Sequence, residues 1–166
     1  WPKPADTSTA AWLQTKLDFG EARRELRQAV AAFPEARLGE NVPTLATHLR
    51  EQGFATAAFV GAFVLDARFG LDRGFDVYDD ELPLSAPAEG AAVVAERPAN
   101  AVTDAALAWV ARAPDRFFLW LHLYDPHEEH HPPEPFASRF GGNPYAGEIA
   151  FADAQARAVA HLLHGA

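Results

Sequence analysis

The stretch NVPTLATHLREQGFATAAFV, Asn41 to Val60, decides the fold class of this 166-residue chain. Its first half spaces apolar residues three and four positions apart, which predicts an amphipathic helix; they are Val42, Leu45, Ala46 and Leu49. Pro43 suits the first helical turn and Gly53 a C-terminal stop. The second half, from Phe54, is a continuous apolar run with one Thr, typical of a strand buried on both faces of a parallel sheet. A helix that leads through one Gly into such a strand is half of an α/β unit.

The same order returns later in the chain. An apolar stripe predicts a helix over Ala101 to Ala113, with Asn100 as its N-cap. Pro114 and Asp115 break the pattern, and Phe117 to Leu123 reads as a second buried strand. Two helix-to-strand units in succession predict the α/β class, with a small, mostly parallel sheet, right-handed crossovers and flanking helices.

The remaining segments are predicted to be connections and one long helix. Residues 61–80 hold three Gly and several Asp and Arg, which indicates a structured loop with short turns. Residues 82–97 are rich in Ala, Pro and Glu, which favours a flexible loop. The last helix is predicted from Tyr145 or Gly147 to His164. The residues expected to face the core are Ile149, Ala152, Ala156, Val159, Ala160 and Leu163.

Residues 1–40 are predicted to be an N-terminal arm followed by helices, the second of which ends at Pro34. Residues 41–166 are predicted to form the α/β domain proper. Met is absent even at position 1, so we expect a processed, trimmed or excised piece of a longer chain. No apolar run reaches the roughly 20 residues of a membrane span, and the stretch WPKPADTS lacks the apolar core of a signal peptide.

Composition excludes several classes of function. The formal net charge is -9, from 23 acidic and 14 basic residues, and the basic residues do not cluster. Nucleic acid is therefore not predicted as a partner, because neutralising phosphates needs clustered Lys and Arg. The chain has no Cys, which excludes disulfides, thiolate nucleophiles and Cys-based zinc sites. The compartment stays open, because an exported protein can also lack disulfides.

Ligands of parallel α/β sheets bind beyond the carboxyl ends of the strands. This rule selects the residues after each predicted strand, Gly61 to Asp66 and Tyr124 to His131. His127 follows Pro126, and an imidazole on such a restricted backbone suits a general acid or an oxyanion contact. The alternative is a solvent-exposed loop histidine.

His122 and Asp125 are the weaker catalytic candidates. His122 lies within the apolar run, where an imidazole is usually a hydrogen-bonded core residue. Asp125 suits an N-cap or a turn as well as a catalytic role. Both alternatives remain open for each residue.

Two acidic segments raise the question of a metal site. Residues 128–131, Glu-Glu-His-His, are adjacent on a loop, and adjacent loop residues seldom converge on one ion, so a charged rim is predicted instead. A second group consists of Asp66, Asp72, Asp76, Asp79 and Asp80. Their spacing does not match an EF-hand loop, which favours a solvated acidic loop. We assign no metal ligand and no cofactor within this chain, and no dinucleotide, P-loop, nucleophile-elbow or zinc-protease motif is present.

Four segments together resemble the sulfatase family of the alkaline-phosphatase superfamily. They are PTLATHLREQGFATAAFVGAFVLDARFGLDRGFDVYDD, ERPANAVTDAALAWV, FFLWLHLYDPH and PYAGEIAFADAQARAVAHLL. They follow the family's order and spacing between Asn41 and Leu163. The resemblance implies an alkaline-phosphatase-like fold, hydrolysis of sulfuric esters of small molecules or glycans, and a formylglycine nucleophile made from Cys or Ser. It also implies a calcium ion in the complete fold. The family's histidine beside the leaving group corresponds to His127.

Several family features are not found in these residues. The nucleophile motif Cys or Ser-x-Pro-x-Arg is absent, and residues 1–40 show no paired metal aspartates. The family often has Gly-Lys-x-His after the first strand, whereas this chain reads Gly61-Ala62-Phe63-Val64. The chain also stops before the strand that would bring the remaining metal ligands. We therefore expect the middle portion of a sulfatase-like hydrolase, inactive by itself. The alternatives are a catalytically dead, sulfatase-derived binding module and an unrelated α/β domain.

Overall fold

Three parallel strands form the centre of the fold in the residues that the structure describes. The structure is a computed structural model that describes residues 37–82, 96–127 and 129–164. Strand β1 (Ala55–Val60) lies between β2 (Val77–Asp79) and β3 (Phe117–His122) and pairs in parallel with both. The predicted parallel α/β sheet is thus confirmed. The predictions for residues 1–36, and for residues 83–95 of the loop, lie outside the described residues.

The three strands differ in burial. β1 is buried over five of its six residues, because its small side chains allow close packing on both faces, as predicted. β3 is only partly buried along its whole length, so the prediction of a second fully buried strand is wrong. It lies at one edge of the sheet in the described part of the chain, where one side of the strand lacks a neighbour. β2 was missed because three residues are too short to show a pattern.

Four helices accompany the sheet in the described ranges. They are α1 (Leu45–Glu51), α2 (Ala99–Val110), α3 (Phe136–Arg139) and α4 (Pro144–His164). Gly53, with φ of 81°, follows α1 and leads into β1 as predicted. Pro43, however, precedes the N-cap Thr44 instead of lying in the first turn. Leu45 is 61% exposed, so the predicted core stripe of α1 is reduced chiefly to Ala46.

Helix α2 covers one face of the sheet. Its buried residues Val102 and Ala106 pack with Ala57 and Phe59 of β1. The ring of Trp109 packs in an edge arrangement on Phe117, with centroids 5.5 Å apart. The helix begins at Ala99, two residues earlier than predicted. Asn100 therefore lies inside the helix, and the prediction that it is the N-cap is wrong.

Helix α4 buries a set of residues that shares only Val159 with the predicted core face. Its buried residues are Gly147, Glu148, Phe151 and Val159, whereas Ile149 and Leu163 are exposed by more than 40%. A Cβ atom at Gly147 would lie 2.9 Å from Cγ of Pro132, so the backbone of α4 approaches the loop after β3 closely. Glu148, the next residue, is 5% exposed. The helix begins where Asn143 Oδ1 accepts a hydrogen bond from Ala146 N at 3.0 Å.

The loop between β1 and β2 is ordered by side-chain hydrogen bonds, as a structured loop with short turns should be. It contains two 3₁₀ turns, Phe63–Leu65 and Ala67–Phe69. Thr56 Oγ1 donates to Gly74 O at 2.8 Å, and Asp76 Oδ2 accepts from Thr56 N at 2.9 Å. The loop is thereby fastened to the first residues of β1.

The backbone of Gly74 gives a prediction about the stability of the protein. Its φ is +88°, and a Cβ atom there would lie 2.1 Å from Thr47 N. Gly74→Ala should therefore lower the free energy of unfolding by about 3 kcal/mol, from the strained backbone and the clash. Gly142→Ala is the matched control, because a Cβ at Gly142 meets nothing within 4 Å. Equal urea unfolding curves for the two variants would contradict this prediction.

Candidate functional site

The segment after β3 turns back on itself at the carboxyl edge of the sheet. The N–H of His127 donates to Asp125 O at 2.7 Å and to Tyr124 O at 3.1 Å. Pro126 restricts the backbone between them. The turn holds His127 beside the end of β3, in the region that the sequence selected.

The imidazole of His127 contacts Tyr124 and Glu96. Its ring stacks on Tyr124 with centroids 4.3 Å apart and an interplanar angle of 20°. Its Nδ1 atom lies 3.2 Å from Oε1 of Glu96, and the side chain is 26% exposed. His127 is therefore not the solvent-exposed loop histidine of the alternative interpretation.

Glu96 was not singled out from the sequence as a site residue. It reaches His127 because Glu96 forms an antiparallel bridge with Ala62, just beyond β1. The next N–H, of Arg97, donates to Gly61 O at 2.9 Å. The only sequence signal for Glu96 is its place at the start of a segment that resembles the sulfatase family.

Arg97 anchors the same segment from the other side. Its guanidinium donates to Asp79 Oδ1 at 2.6 Å, at the end of β2, and to Ala101 O at 3.1 Å. Both Arg97 and Asp79 are largely buried, with side-chain exposures of 12% and 20%. The carboxyl ends of all three strands thus contribute to the placement of Glu96 and His127.

Asp125 is buried close to the first turn of α2. Its carboxylate accepts a hydrogen bond from the N–H of Ala99, the first residue of this helix. Asp125 thus caps a helix that precedes it in the chain, a partner that the sequence could not specify. Its Oδ2 atom is buried without a hydrogen-bond partner within the described residues. Burial raises the pKa of Asp125, the Ala99 N–H opposes this, and the charge of Glu148 raises it further.

Glu96 also carries a perturbed carboxyl group. Burial raises its pKa, and the neighbouring His127 imidazole opposes that shift through its charge and its hydrogen bond. The charges of Asp125 and Glu148 add to the upward shift. Three carboxyl groups therefore interact electrostatically around His127.

Glu148 of α4 is a buried carboxylate that the sequence analysis placed in no role. It is 5% exposed. It accepts hydrogen bonds from His130 Nδ1 at 2.6 Å and from His131 N at 2.5 Å. His130 is consequently part of a buried contact and not of a charged rim, whereas the side chains of Glu129 and His131 are 90% and 82% exposed, as a rim requires.

His122 lies at the last position of β3. Burial lowers the pKa of its imidazole, which favours the neutral ring. Its Nδ1 atom is buried without a hydrogen-bond partner in the described part of the chain. Its ring is 5.8 Å from that of Tyr124, so His122 lies one aromatic ring away from His127.

A pocket of about 230 Å³ opens beside this group. It is lined by Glu96, Arg97, Pro98, Tyr124, Asp125, Glu129, His131 and Glu148. Four of these side chains are carboxyl groups, and the guanidinium of Arg97 is paired with Asp79. Glu96 and Tyr124 both line the pocket and contact His127, so the imidazole lies at its border.

The comparison with known protein families identifies the class of protein. An α/β domain with a histidine at the carboxyl edge of a parallel sheet is consistent with an alkaline-phosphatase-like hydrolase fold. Residues 19–164 match the family model described as Sulfatase, and the chain belongs to the sulfatase family. No curated protein and no solved structure gives a match. No helix within the described ranges has the length and hydropathy that crossing a bilayer requires.

Sulfatases are generally metal-dependent, and a calcium site requires several oxygen ligands close together. Within residues 37–82, 96–127 and 129–164, no group of three or more His, Cys, Asp or Glu side chains could hold a metal. Three aspartates of the acidic group accept other hydrogen bonds. Asp66 accepts from the N–H of Arg68, Asp76 from the N–H of Thr56, and Asp80, which follows β2, from the N–H of Ala67. The described residues therefore do not fit a calcium site.

The raised pKa of Asp125 gives a prediction about stability. A carboxyl group with a raised folded-state pKa stabilises the fold below its unfolded pKa, and this contribution is lost as the pH rises through the folded pKa. Asp125→Asn keeps an oxygen for the Ala99 N–H and resembles the protonated form. Urea unfolding should therefore show the Asn variant gaining stability relative to wild type as the pH rises from below 3.8, the usual Asp value, to neutrality.

Asp104→Asn, on the exposed side of α2, is the control for this series. Its stability relative to wild type should change little over the same pH range. A pH-independent difference between Asp125→Asn and wild type would contradict the prediction.

Proposed function

We propose that this chain carries the leaving-group side of a sulfuric ester hydrolase site, with His127 as the general acid. Membership of the sulfatase family supports a sulfatase-like hydrolase. The observation that carries the finer assignment is the imidazole held at the carboxyl edge of the sheet between Tyr124 and Glu96. The proposed substrate is a sulfated small molecule or glycan.

The chemistry requires a proton at the departing oxygen. A hydroxyl nucleophile attacks sulfur as its own proton passes to a base or to water, the bond between sulfur and the ester oxygen breaks, and that oxygen takes a proton from His127 Nε2. General acid catalysis of this kind contributes about 10²–10⁴-fold. Asp125 would act only indirectly, by fixing the first turn of α2 next to the site, and His122 as a neutral ring behind Tyr124.

We further propose that these 166 residues by themselves do not hydrolyse sulfuric esters. They include no Cys and no Ser-x-Pro-x-Arg motif, and Ala62 and Val64 occupy the positions where family members often have the Lys and His that contact the sulfate. Enzymes accelerate reactions by about 10⁶–10¹⁷-fold. One imidazole falls far short of that range, since the nucleophile and the cationic stabilisation of the developing charge supply most of it.

An aryl sulfate tests both parts of the proposal. In an assay of the 166-residue chain, with and without calcium, we expect no turnover by wild type or by His127→Ala. In an NMR titration with the same ester, we expect the ring resonances of His127 to shift saturably. Calcium-dependent turnover that requires His127 would contradict the inactivity, and an unperturbed His127 at high ester concentration would contradict its place in the site.

The alternative is a catalytically dead, sulfatase-derived module that binds an anionic glycan or a protein. The specific observation in its favour is that the buried Ala62 and the exposed Val64 stand where a Lys and His pair would contact sulfate. The four carboxyl groups of the pocket and the net charge of -9 oppose anion binding.

A calorimetric titration with sulfated sugars separates the two functions. The hydrolase proposal predicts weak binding that His127→Gln reduces further. Tight, saturable binding that is unchanged in His127→Gln would favour the binding module. If no sulfated sugar binds, a protein partner is the remaining form of the alternative.

A further inference from the structure

We propose that Glu96 is the positioning residue for His127: its carboxylate keeps the proton on Nδ1 and so directs Nε2 toward the leaving-group oxygen. The inference rests on the role proposed above for His127. It assigns a function to a residue that no motif in the sequence marks.

The contact between the two side chains is specific. Oε1 of Glu96 lies 3.2 Å from Nδ1 of His127. Tyr124 covers one face of the imidazole, with ring centroids 4.3 Å apart. The backbone N–H of His127 donates to the carbonyl groups of Tyr124 and Asp125 in the turn. The stacking on Tyr124 and the contact of Nδ1 with the carboxylate both orient the ring.

Glu96 is held more rigidly than a typical surface carboxylate. Its backbone bridges Ala62, and the adjacent Arg97 is fastened to Gly61 O and to Asp79. An ion pair between two flexible exposed side chains contributes little, because both must be ordered to form it. Here the strand ends order the backbone of the carboxylate and the turn orders that of the imidazole, so less entropy is lost.

The other two carboxylates near this group have different partners. Glu148 accepts hydrogen bonds from His130 and from the N–H of His131. Asp125 accepts one from the N–H of Ala99. Among the carboxylates that the structure describes around this group, Glu96 is the one whose oxygen lies beside the His127 ring.

The consequence follows from the chemistry of imidazole. A neutral ring has one N–H, and an ionised carboxylate can only accept a hydrogen bond. The pair therefore selects the tautomer with the proton on Nδ1 and an unprotonated Nε2. When the ring is an imidazolium, Nε2 is the atom that gives its proton to the departing oxygen, and the ring returns to the same tautomer without any further proton transfer.

Nitrogen NMR of the full 166-residue chain tests this assignment. Long-range proton–nitrogen spectra distinguish the two tautomers, and His127→Gln identifies the signals of His127. At a pH where the ring is neutral, we expect wild type to carry the proton on Nδ1. Glu96→Ala should lower the fraction of rings that carry the proton on Nδ1 and raise the fraction protonated on Nε2.

Two further variants separate positioning from a purely structural contribution. Glu96→Gln retains an acceptor oxygen and should preserve the Nδ1 tautomer. Glu129→Gln, at the border of the same pocket but 90% exposed, should leave the spectrum of His127 unchanged. Thermal unfolding of each variant shows whether the fold is retained.

A wild-type ring protonated on Nε2 would overturn the proposal, as would a folded Glu96→Ala variant that keeps the Nδ1 tautomer. If Glu96→Ala fails to fold, the wild-type and Glu96→Gln spectra decide. The outcome is separate from that of the proposed function: an Nδ1 tautomer combined with no response to aryl sulfate would remove the hydrolase role and leave the pair intact.

Discussion

The parallel pairing of β1 with β3 is the constraint on which the rest of the site depends. It places Val60 opposite His122, so both strands end at the same level. A Cβ atom at Gly61 would lie 3.0 Å from Arg97 O and 3.2 Å from His122 O, which shows how closely three segments meet there. Glu96 can reach His127 because no side chain separates these segments at that point.

Three carboxyl groups near this junction, those of Glu96, Asp125 and Glu148, each contact a different hydrogen-bond donor. Glu96 faces an imidazole nitrogen, Asp125 the first N–H of α2, and Glu148 the side chain of His130 and the N–H of His131. Burial raises the pKa of Glu96 and of Asp125, because a carboxylate loses hydration when it is enclosed. The resulting pocket is acidic, with carboxyl groups of Glu96, Asp125, Glu129 and Glu148 in its lining, which distinguishes it from an anion-binding site.

Sequence patterns predicted the strong elements well and the local details less well. The run from Phe54 to Val60 was predicted correctly as a buried strand, because it is apolar except for one Thr and too short for a typical helix. The cap of α2 was misplaced at Asn100, because the residue that caps it, Asp125, is remote in sequence. The buried face of α4 was predicted only at Val159, because periodicity identifies apolar residues, whereas Gly147 and the carboxylate of Glu148 are also buried in the structure.

The sequence alone determined the α/β class, the position of His127 after a strand, and the resemblance to sulfatases that the family match confirms. These properties follow from local patterns and from the rule that ligands bind at the carboxyl ends of parallel strands. Only the tertiary structure decided that Glu96 and Glu148 belong to the same neighbourhood. Their partners are 31 and 18 residues away. Such distant pairs meet through strand register and helix packing, which a single sequence does not display.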